Sequence, residues 1–200
     1  MQNNFIYTNN WFNRNIDISM KLLKAIFNNK KVNILEIGSH EGRSTVWMLE
    51  NLCDKEGSTF TSIDPYLTGD ETSPVTSQTY QNFRHNTSIC KNREKLNQYV
   101  SLSQDILPKL IKEEKLYDII YVDGSHKQED VLFDLNHSDQ LLRKGGVILM
   151  DDVGFDWNKS DGVIGALKTF MWNSTGRYQL ILKEYQCALQ KVQMKDKKRK

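Results

Sequence analysis

Short apolar runs alternate with longer segments of helical periodicity along most of the 200-residue chain. The apolar runs, bounded by Lys, Gly or Asp residues, are typical of buried strands, and the segments between them repeat apolar residues every three or four positions. Strands are predicted at 32–37, 59–63, 99–102, 117–122 and 146–150, and helices at about 43–53, 78–92, 104–114 and 127–142. This alternation predicts an α/β fold: a doubly wound, Rossmann-like, mostly parallel sheet with helices on both faces.

The two ends of the chain extend this pattern. A leading amphipathic helix is predicted at about 15–28, and a helix near 162–173 follows Ser160 and Asp161, either of which could cap it. Residues 178–182 and 187–192 then predict two adjacent antiparallel strands. We expect one domain over 1–194, with 1–29 as a leading helical segment. The polar stretch 65–77 is long for a connection within a domain, which favours a functional loop such as a lid.

The charge distribution argues against a nucleic-acid partner. The net charge is +2, but residues 195–200 contribute +4 and leave the body at −2, so no basic stripe remains to hold a phosphate backbone. The basic tail itself is expected to be disordered. The three cysteines are far apart and form no CxxC pair, and neither a secretory signal nor a membrane span is recognisable, so we expect a cytoplasmic protein without a membrane partner. A homo-oligomer is left open.

A glycine loop follows the first predicted strand and precedes a helix. Gly38 permits a tight turn there, and Gly42 is expected to allow a ligand to approach the helix N-terminus. The spacing is G-x-x-x-G with Glu36 two residues ahead, which differs from the G-x-G-x-x-G of dinucleotide sites. Because an acid at this position would repel a pyrophosphate, the loop favours a ligand with cationic amino and sulfonium groups, such as S-adenosylmethionine.

Two later strand ends supply further candidate contacts. Asp64 ends the second strand, where doubly wound nucleotide-binding domains place the acid that binds ribose hydroxyls. The sequence Ser103-Gln104-Asp105 follows the third strand, where an adenine ring would lie. The predicted cofactor-binding residues are Glu36, Gly38, Ser39, Gly42, Ser44, Asp64, Ser103, Gln104, Asp105 and Asp123.

Three stretches, ILEIGSHEGRST, SIDP and YDIIYVDGSHKQEDVLFDLNHSDQLLRKGGVILMDDV, resemble the class I S-adenosylmethionine-dependent methyltransferases. Among these, the chain is most similar to the metal-dependent branch that includes macrocin O-methyltransferase and related sugar O-methyltransferases. The resemblance covers roughly residues 30–155 and implies a seven-stranded sheet whose last strand is antiparallel. His40 and Glu41 depart from the pattern inside the glycine loop.

Acids at two strand ends predict a metal site. Asp123 ends the fourth strand and Asp151-Asp152 end the fifth, so their carboxylates would converge if the strands are neighbours. Crowded carboxylates repel one another unless a cation joins them, and oxygen ligands favour Mg²⁺ or Mn²⁺. The resemblance implies the same three metal ligands. The alternative interpretation is that these acids are solvated strand ends.

His126 is the candidate general base and, with Asp123, forms the predicted catalytic pair. Ser125 and Gln128 have the spacing of a capping box, which would make His126 the first residue of the next helix. The resemblance implies a base at this position. The metal would then lower the pKa of a sugar or glycan hydroxyl and His126 would take its proton before methyl transfer.

The acceptor is less constrained by the sequence. Tyr66, Phe155 and Trp157 lie in loops and could close over a sugar ring. The alternatives are methylation of a catechol-like phenol, a non-catalytic S-adenosylmethionine-binding module, and a nicotinamide dehydrogenase. The last is disfavoured because the third glycine and any Tyr-x-x-x-Lys signature are absent from the sequence.

Overall fold

The computed structural model describes residues 4–67, 77–154 and 156–192. Its strands form a seven-stranded sheet of order β3-β2-β1-β4-β5-β7-β6. Strands β1 to β5 are parallel, and β7 pairs antiparallel with both β5 and β6. The strands are β1 (Asn33–Ile37), β2 (Thr59–Ile63), β3 (Leu96–Tyr99), β4 (Tyr117–Val122), β5 (Leu142–Met150), β6 (Tyr178–Lys183) and β7 (Cys187–Lys191). The predicted α/β class and the antiparallel end of the sheet are confirmed.

The helices lie where the apolar periodicity predicted them. They are α1 (Asn13–Asn15), a π-helical turn (Ile16–Met20), α2 (Lys21–Phe27), α3 (Arg43–Leu52), α4 (Gln78–Ile89), α5 (Ser103–Lys112), α6 (Gln128–Leu141) and α7 (Gly162–Asn173), with a 3₁₀ turn at Arg93–Lys95. The first three pieces follow one another directly and correspond to the predicted leading helix. No helix in the described ranges is both long enough and apolar enough to cross a bilayer.

Two buried clusters cover the two faces of the sheet. Successive residues of a strand point to opposite faces, so in β4 Ile119 and Tyr121 pack on one side while Ile120 and Val122 pack on the other. Helices α5, α6 and α7 cover the second face, and the leading helical segment and α3 cover the first. Burial of these apolar side chains removes them from water and stabilises the packing of the central strands against the helices.

Strand β3 is three residues earlier than predicted, at Leu96–Tyr99 instead of 99–102. It is an edge strand that pairs with β2 alone, and its residues are only partly buried or exposed. The prediction followed the apolar residues Val100 and Leu102, but both are exposed beyond the strand. An edge strand lacks the continuous burial that produces a clear apolar run.

The start of α6 also differs from the prediction. The helix begins at Gln128, so His126 lies two residues before it, and the capping box at Ser125 does not form. The Ser125 hydroxyl instead accepts the Lys127 backbone N–H at 3.1 Å and donates to Asp130 at 2.8 Å. The serine therefore closes a local turn before the helix. At α7, Asp161 occupies the N-cap position but makes no side-chain capping bond.

Candidate functional site

A pocket of about 640 Å³ opens at the carboxyl ends of the parallel strands. Its wall combines the loops after β1, β2, β4 and β5 with the start of α5 and part of the segment that precedes α1. Ligands of open α/β sheets bind at this edge. The strand-end residues singled out in the sequence therefore face a common cavity, with the exceptions described below.

Gly38 brings the loop after β1 into contact with the loop after β4. Its φ is +85°, and a Cβ built on it would lie only 2.0 Å from the carbonyl oxygen of Asp123. Its N–H donates to the Ile63 carbonyl at 2.9 Å, which also ties it to β2. Only glycine fits a position with this φ and this approach.

Asp64 fixes the conformation of the same loop. Its Oδ2 accepts the backbone N–H groups of Ser39 at 2.7 Å and His40 at 2.9 Å, and its Oδ1 accepts that of Tyr66 at 2.7 Å. The carboxylate lines the pocket, and each oxygen has two lone pairs. Asp64 can therefore hold the loop and still accept a hydrogen bond from a ligand hydroxyl.

Glu36 lies beneath the loop and does not reach the pocket wall. It is completely buried and accepts hydrogen bonds from the hydroxyls of Ser44 and Thr45 in the first turn of α3. Burial raises the pKa of Glu36 to about 7, against the opposing effect of those hydroxyls. The structure therefore makes Glu36 a brace between β1 and α3 instead of a direct ligand contact. Ser39 and Ser44 do line the pocket.

Two more predicted cofactor residues lie outside the pocket wall. A Cβ on Gly42, whose φ is +78°, would lie 2.8 Å from the ring of Phe83, so this glycine is required by the packing of α4 and not by a ligand. Asp105 is exposed, and the Ser101 hydroxyl donates to it at 3.2 Å. Its neighbours Ser103 and Gln104 line the pocket as predicted.

The three strand-end acids converge as predicted, since Asp123, Asp151 and Asp152 all line the pocket. Asp151 is nearly buried, and its Oδ2 accepts Asn15 Nδ2 at 2.9 Å and the Tyr121 hydroxyl at 2.5 Å. Its Oδ1 accepts the Asp152 backbone N–H at 2.8 Å. Burial and the neighbouring carboxylates of Asp151 and Asp152 raise the pKa of Asp123 well above its usual value.

The arrangement of these acids is not that of a metal-binding group. Among the residues that the structure describes, no group of three or more His, Cys, Asp or Glu side chains is placed to hold a metal. Both oxygens of Asp151 and both oxygens of Asp152 already accept protein donors. The sequence predicts a cation that compensates these charges, whereas the structure supplies N–H and O–H donors.

Asp152 orients His126. Its Oδ2 lies 2.8 Å from His126 Nε2, and its Oδ1 accepts the Tyr185 hydroxyl. Asp152 has a φ of +52°, an unusual value for a residue with a side chain. With Nε2–H donating to this carboxylate, Nδ1 of His126 carries the lone pair and can accept a proton. The Arg14 guanidinium lies 4.0 Å from the centre of the Tyr185 ring, next to this pair.

The segment before α1 forms a wall that the sequence reasoning missed. Tyr7, Asn9, Trp11 and Phe12 of this segment line the pocket, as does Arg14 of α1. The segment runs across the loop after β1, and the Arg43 guanidinium donates to its Asn9 carbonyl at 2.6 Å. We call residues 5–12 the N-terminal strap.

Glu41 anchors the N-terminal strap, which gives a physical account of its unusual place in the glycine loop. It is nearly buried, and its Oε2 accepts the Thr8 backbone N–H at 2.7 Å while its Oε1 accepts Asn82 Nδ2 at 2.8 Å. The ring of neighbouring His40 lies 5.7 Å from that of Trp11. A charged residue inside the glycine loop was the available signal, because a buried acid requires partners from elsewhere in the chain.

The aromatic residues that were predicted to cover an acceptor lie elsewhere. Tyr66 is buried against the rings of Tyr80 and Phe83, at 4.8 and 5.3 Å, so that prediction is wrong. Trp157 is only partly buried, packs beneath Lys183 and is not part of the pocket wall. Phe155, most of the predicted 65–77 loop and the basic tail lie outside the described residues.

Comparison with known proteins is consistent with this architecture. A family model described as a methyltransferase domain matches residues 35–153. An uncharacterized protein of Acanthamoeba polyphaga mimivirus is 26% identical over 146 residues, which are 72% of this chain but only 62% of that protein. The chain therefore matches less than two thirds of the length of this relative.

Several solved structures share the fold. The O-methyltransferase TomG from Streptomyces achromogenes, in complex with S-adenosylmethionine, superposes with a TM-score of 0.66 at 20% identity, covering 90% of this chain and 86% of that one. An O-methyltransferase from Bacillus cereus gives 0.61 at 21% identity over 86% and 79% of the two chains. A TDP-rhamnose 3′-O-methyltransferase of calicheamicin biosynthesis gives 0.65 at 14% identity over 90% and 81%.

Proposed function

The chain belongs to the methyltransferase-domain family, and we propose that it transfers the methyl group of S-adenosylmethionine to a hydroxyl oxygen of a sugar or glycan. The observation that carries the proposal is the composition of one pocket. The glycine loop held by Asp64 and the His126–Asp152 pair both line it. A donor site and a proton acceptor therefore share a cavity large enough for two reactants.

The donor end suits a cationic ligand. Asp64 and Asp123 are acids of the wall, and Asp151 lies close enough to Asp123 to disfavour its ionised form. A sulfonium or ammonium group brought into this acidic environment is favoured electrostatically, whereas a pyrophosphate is repelled. This charge argument supports S-adenosylmethionine over a dinucleotide.

His126 acts as general base in the proposed reaction. Its Nδ1 takes the proton of the acceptor hydroxyl while Asp152 stabilises the imidazolium that forms. The acceptor oxygen attacks the methyl carbon, the bond from that carbon to sulfur breaks, and the sulfur keeps the electron pair. The products are the methyl ether, S-adenosylhomocysteine and a proton on His126.

No step of this reaction passes through a metal. The expectation of Mg²⁺ or Mn²⁺ held by Asp123, Asp151 and Asp152 gains no support from the described residues, where no group of three or more His, Cys, Asp or Glu side chains is placed to hold a metal. The hydrogen-bonded pair of His126 and Asp152 supplies the proton acceptor without a Lewis acid.

The acceptor assignment rests on the N-terminal strap and on Arg14 of α1. Trp11 is 64% exposed and lines the pocket together with Tyr7, so an acceptor ring has aromatic surfaces to pack against. Asn9 and Arg14 add polar groups to the same wall. This combination favours a polyhydroxylated ring over a catechol-like phenol, which remains the alternative. One solved relative is named as a TDP-rhamnose methyltransferase, in line with a sugar acceptor.

Calorimetry tests the donor site. We expect heat of binding with S-adenosylmethionine and with S-adenosylhomocysteine, and none with NAD. Binding of NAD in preference to both would contradict the donor assignment.

Transfer of a labelled methyl group tests the acceptor and the base. The panel contains monosaccharides, nucleotide sugars, oligosaccharides and a catechol, each assayed with a chelator and again with added Mg²⁺. We expect transfer to a sugar hydroxyl, unaffected by the chelator and lost in His126→Ala, with His85→Ala as an exposed histidine control. Transfer to catechol alone would identify a phenol, not a sugar, as the acceptor. A requirement for Mg²⁺ would overturn the metal-free route. Binding of S-adenosylmethionine without transfer to any compound would favour the non-catalytic module.

A further inference from the structure

Two guanidinium groups line the pocket beside the N-terminal strap, those of Arg14 in α1 and Arg43 at the start of α3. Neither forms an ion pair with an acid among the described residues. Arg143 in β5, which lies outside this pocket, does pair with an acid, Asp118, at 2.8 Å. The pocket therefore carries positive charge that no carboxylate of the described chain contacts directly.

The Arg14 guanidinium is held by its flat face. It lies 4.0 Å from the centre of the Tyr185 ring, and it makes no hydrogen bond with any residue that the structure describes. Stacking on an aromatic ring uses the face of a guanidinium and leaves the N–H groups at its edge available. These N–H groups form a planar fork that matches two oxygens of a carboxylate or a phosphate. Arg14 is therefore an oriented donor group that a ligand can use.

Arg14 lies beside the proposed base. The hydroxyl of Tyr185, the residue on which Arg14 stacks, donates to Asp152, and Asp152 Oδ2 lies 2.8 Å from His126 Nε2. Tyr185 and His126 engage the two oxygens of Asp152, and Arg14 forms no ion pair with this acid. An anionic group bound to Arg14 would thus lie on the same side of the pocket as the hydroxyl that loses its proton.

Arg43 adds a second fixed positive charge near the strap. One of its N–H groups donates to the Asn9 carbonyl at 2.6 Å, and its guanidinium lies 4.9 Å from the centre of the Tyr7 ring. A guanidinium has five N–H donors, so one bond to the strap leaves others for a ligand. Together the two arginines favour an anionic acceptor over a neutral one at this wall.

We propose that the acceptor is an anionic sugar, one that carries a phosphate or a carboxylate, and that Arg14 binds this group. The inference rests on the proposed O-methyltransferase function and names the substrate class of the same pocket. A phosphate and a carboxylate share the paired oxygens that a guanidinium fork recognises. A neutral sugar with the same ring lacks these charge-assisted hydrogen bonds, which are roughly twice as strong as neutral ones.

Calorimetry on the full chain saturated with S-adenosylhomocysteine tests the binding step without turnover. The probes are glucose, its 1- and 6-phosphates and glucuronic acid, together with the corresponding galactose and mannose compounds. We expect an anionic member of one series to bind at least about 30-fold more tightly than its neutral sugar. Preference for the phosphates or for the uronic acids distinguishes the two sources of the anionic group.

Substitutions of Arg14 test its role in this preference. In Arg14→Gln the Kd and the KM of the anionic acceptor should rise about 30-fold, while kcat should change by less than about threefold. Arg14→Lys keeps the charge but lacks the fork, so we expect a loss of about tenfold. Arg84→Gln, an exposed arginine outside the pocket wall, should behave as the wild type. A purely structural role for Arg14 would weaken anionic and neutral sugars alike.

The outcomes separate the two proposals. If the wild-type protein binds an anionic sugar through Arg14 but methylates none of the compounds, the proposed function fails and the anion site stands. If neutral and anionic sugars bind and react equally, or if Arg14→Gln keeps the wild-type preference, the inference is overturned and the proposed function stands. If no sugar binds, both the sugar acceptor and the anion site are overturned.

Discussion

The donor end and the acceptor end of the pocket are built in different ways. At the donor end, the loops after β1, β2 and β4 are held by backbone groups, as in the bonds from Ser39 and His40 to Asp64. At the acceptor end, side chains join parts of the chain that are distant in sequence. Asn15 donates to Asp151 across 136 positions, and Asn86 exchanges hydrogen bonds with the backbone of Ile6 across 80.

This difference indicates which end can vary between related chains. The donor end depends on the sheet itself, so a change there disturbs the fold as well as the ligand. The acceptor end depends on a strap laid over the sheet, so its side chains can change while the strands stay in place. Donor binding should therefore be coupled to stability, and acceptor choice should depend on the strap.

The largest effect is expected from removing the proposed base. His126→Ala should lower kcat by about 10²–10⁴-fold, because proton transfer to a positioned side chain contributes that much. The Kd for S-adenosylhomocysteine should stay within about twofold, since the imidazole is 66% exposed and bonds to Asp152, away from the glycine loop. Steady-state kinetics and calorimetry measure the two quantities. Retention of wild-type kcat would exclude His126 as the base.

Gly38→Ala tests whether the donor end is coupled to the fold. The added Cβ would lie 2.0 Å from the Asp123 carbonyl oxygen at a φ of +85°, so β1 and β4 must separate locally. We expect the free energy of unfolding to fall by about 3 kcal/mol and donor affinity to fall with it. Urea denaturation and calorimetry provide the measurements. Gly154→Ala is the matched control, because its φ is also positive but nothing lies within 4 Å of its added Cβ.

The fold could be predicted from the sequence because its signals are local. Helix α7 begins and ends where the apolar spacing predicted, and Asp64 and Asp123 follow buried strands. The start of α6 could not be predicted, since Ser125 has the spacing of a cap but its hydroxyl bonds to Lys127 and Asp130 instead. Residue spacing alone does not determine which of several nearby donors and acceptors a serine hydroxyl bonds to.

The strap and the surroundings of Asp134 could not be predicted for a different reason. The bond from the Thr8 N–H to Glu41 has no periodic signal, because it joins an irregular segment to a single side chain. The lack of a described hydrogen-bond partner for Asp134 Oδ1 depends on which face of α6 meets the pocket, and Asp139 on the same helix finds protein partners. Both features become visible only when the packing of distant segments is known.

Glu36→Gln is expected to change how stability depends on pH. The pKa of Glu36 in the folded state is about 7, above the reference value of 4.5, so between these values the folded protein binds more protons than the unfolded chain. The free energy of unfolding should therefore fall as pH rises from about 4.5 to 7 and level off above, by on the order of 3 kcal/mol in total. The glutamine variant should lack this slope in urea denaturation across pH 4.5–8. An exposed control, Glu113→Gln, should keep it.

Glu41→Gln should give the smallest effect and the clearest separation of the two ends. The two carboxylate oxygens of Glu41 accept the Thr8 N–H and Asn82 Nδ2. In the glutamine variant an NH₂ group replaces one of these oxygens, so one of the two donors faces another donor. We expect the strap to loosen, the free energy of unfolding to fall by about 1 kcal/mol, and KM for the acceptor to rise about tenfold. The Kd for S-adenosylhomocysteine should change by less than about twofold, because Asp64 holds the loop after β1 without the strap. Equal losses in donor and acceptor affinity would show that the strap belongs to both ends, and the division of the pocket would have to be abandoned.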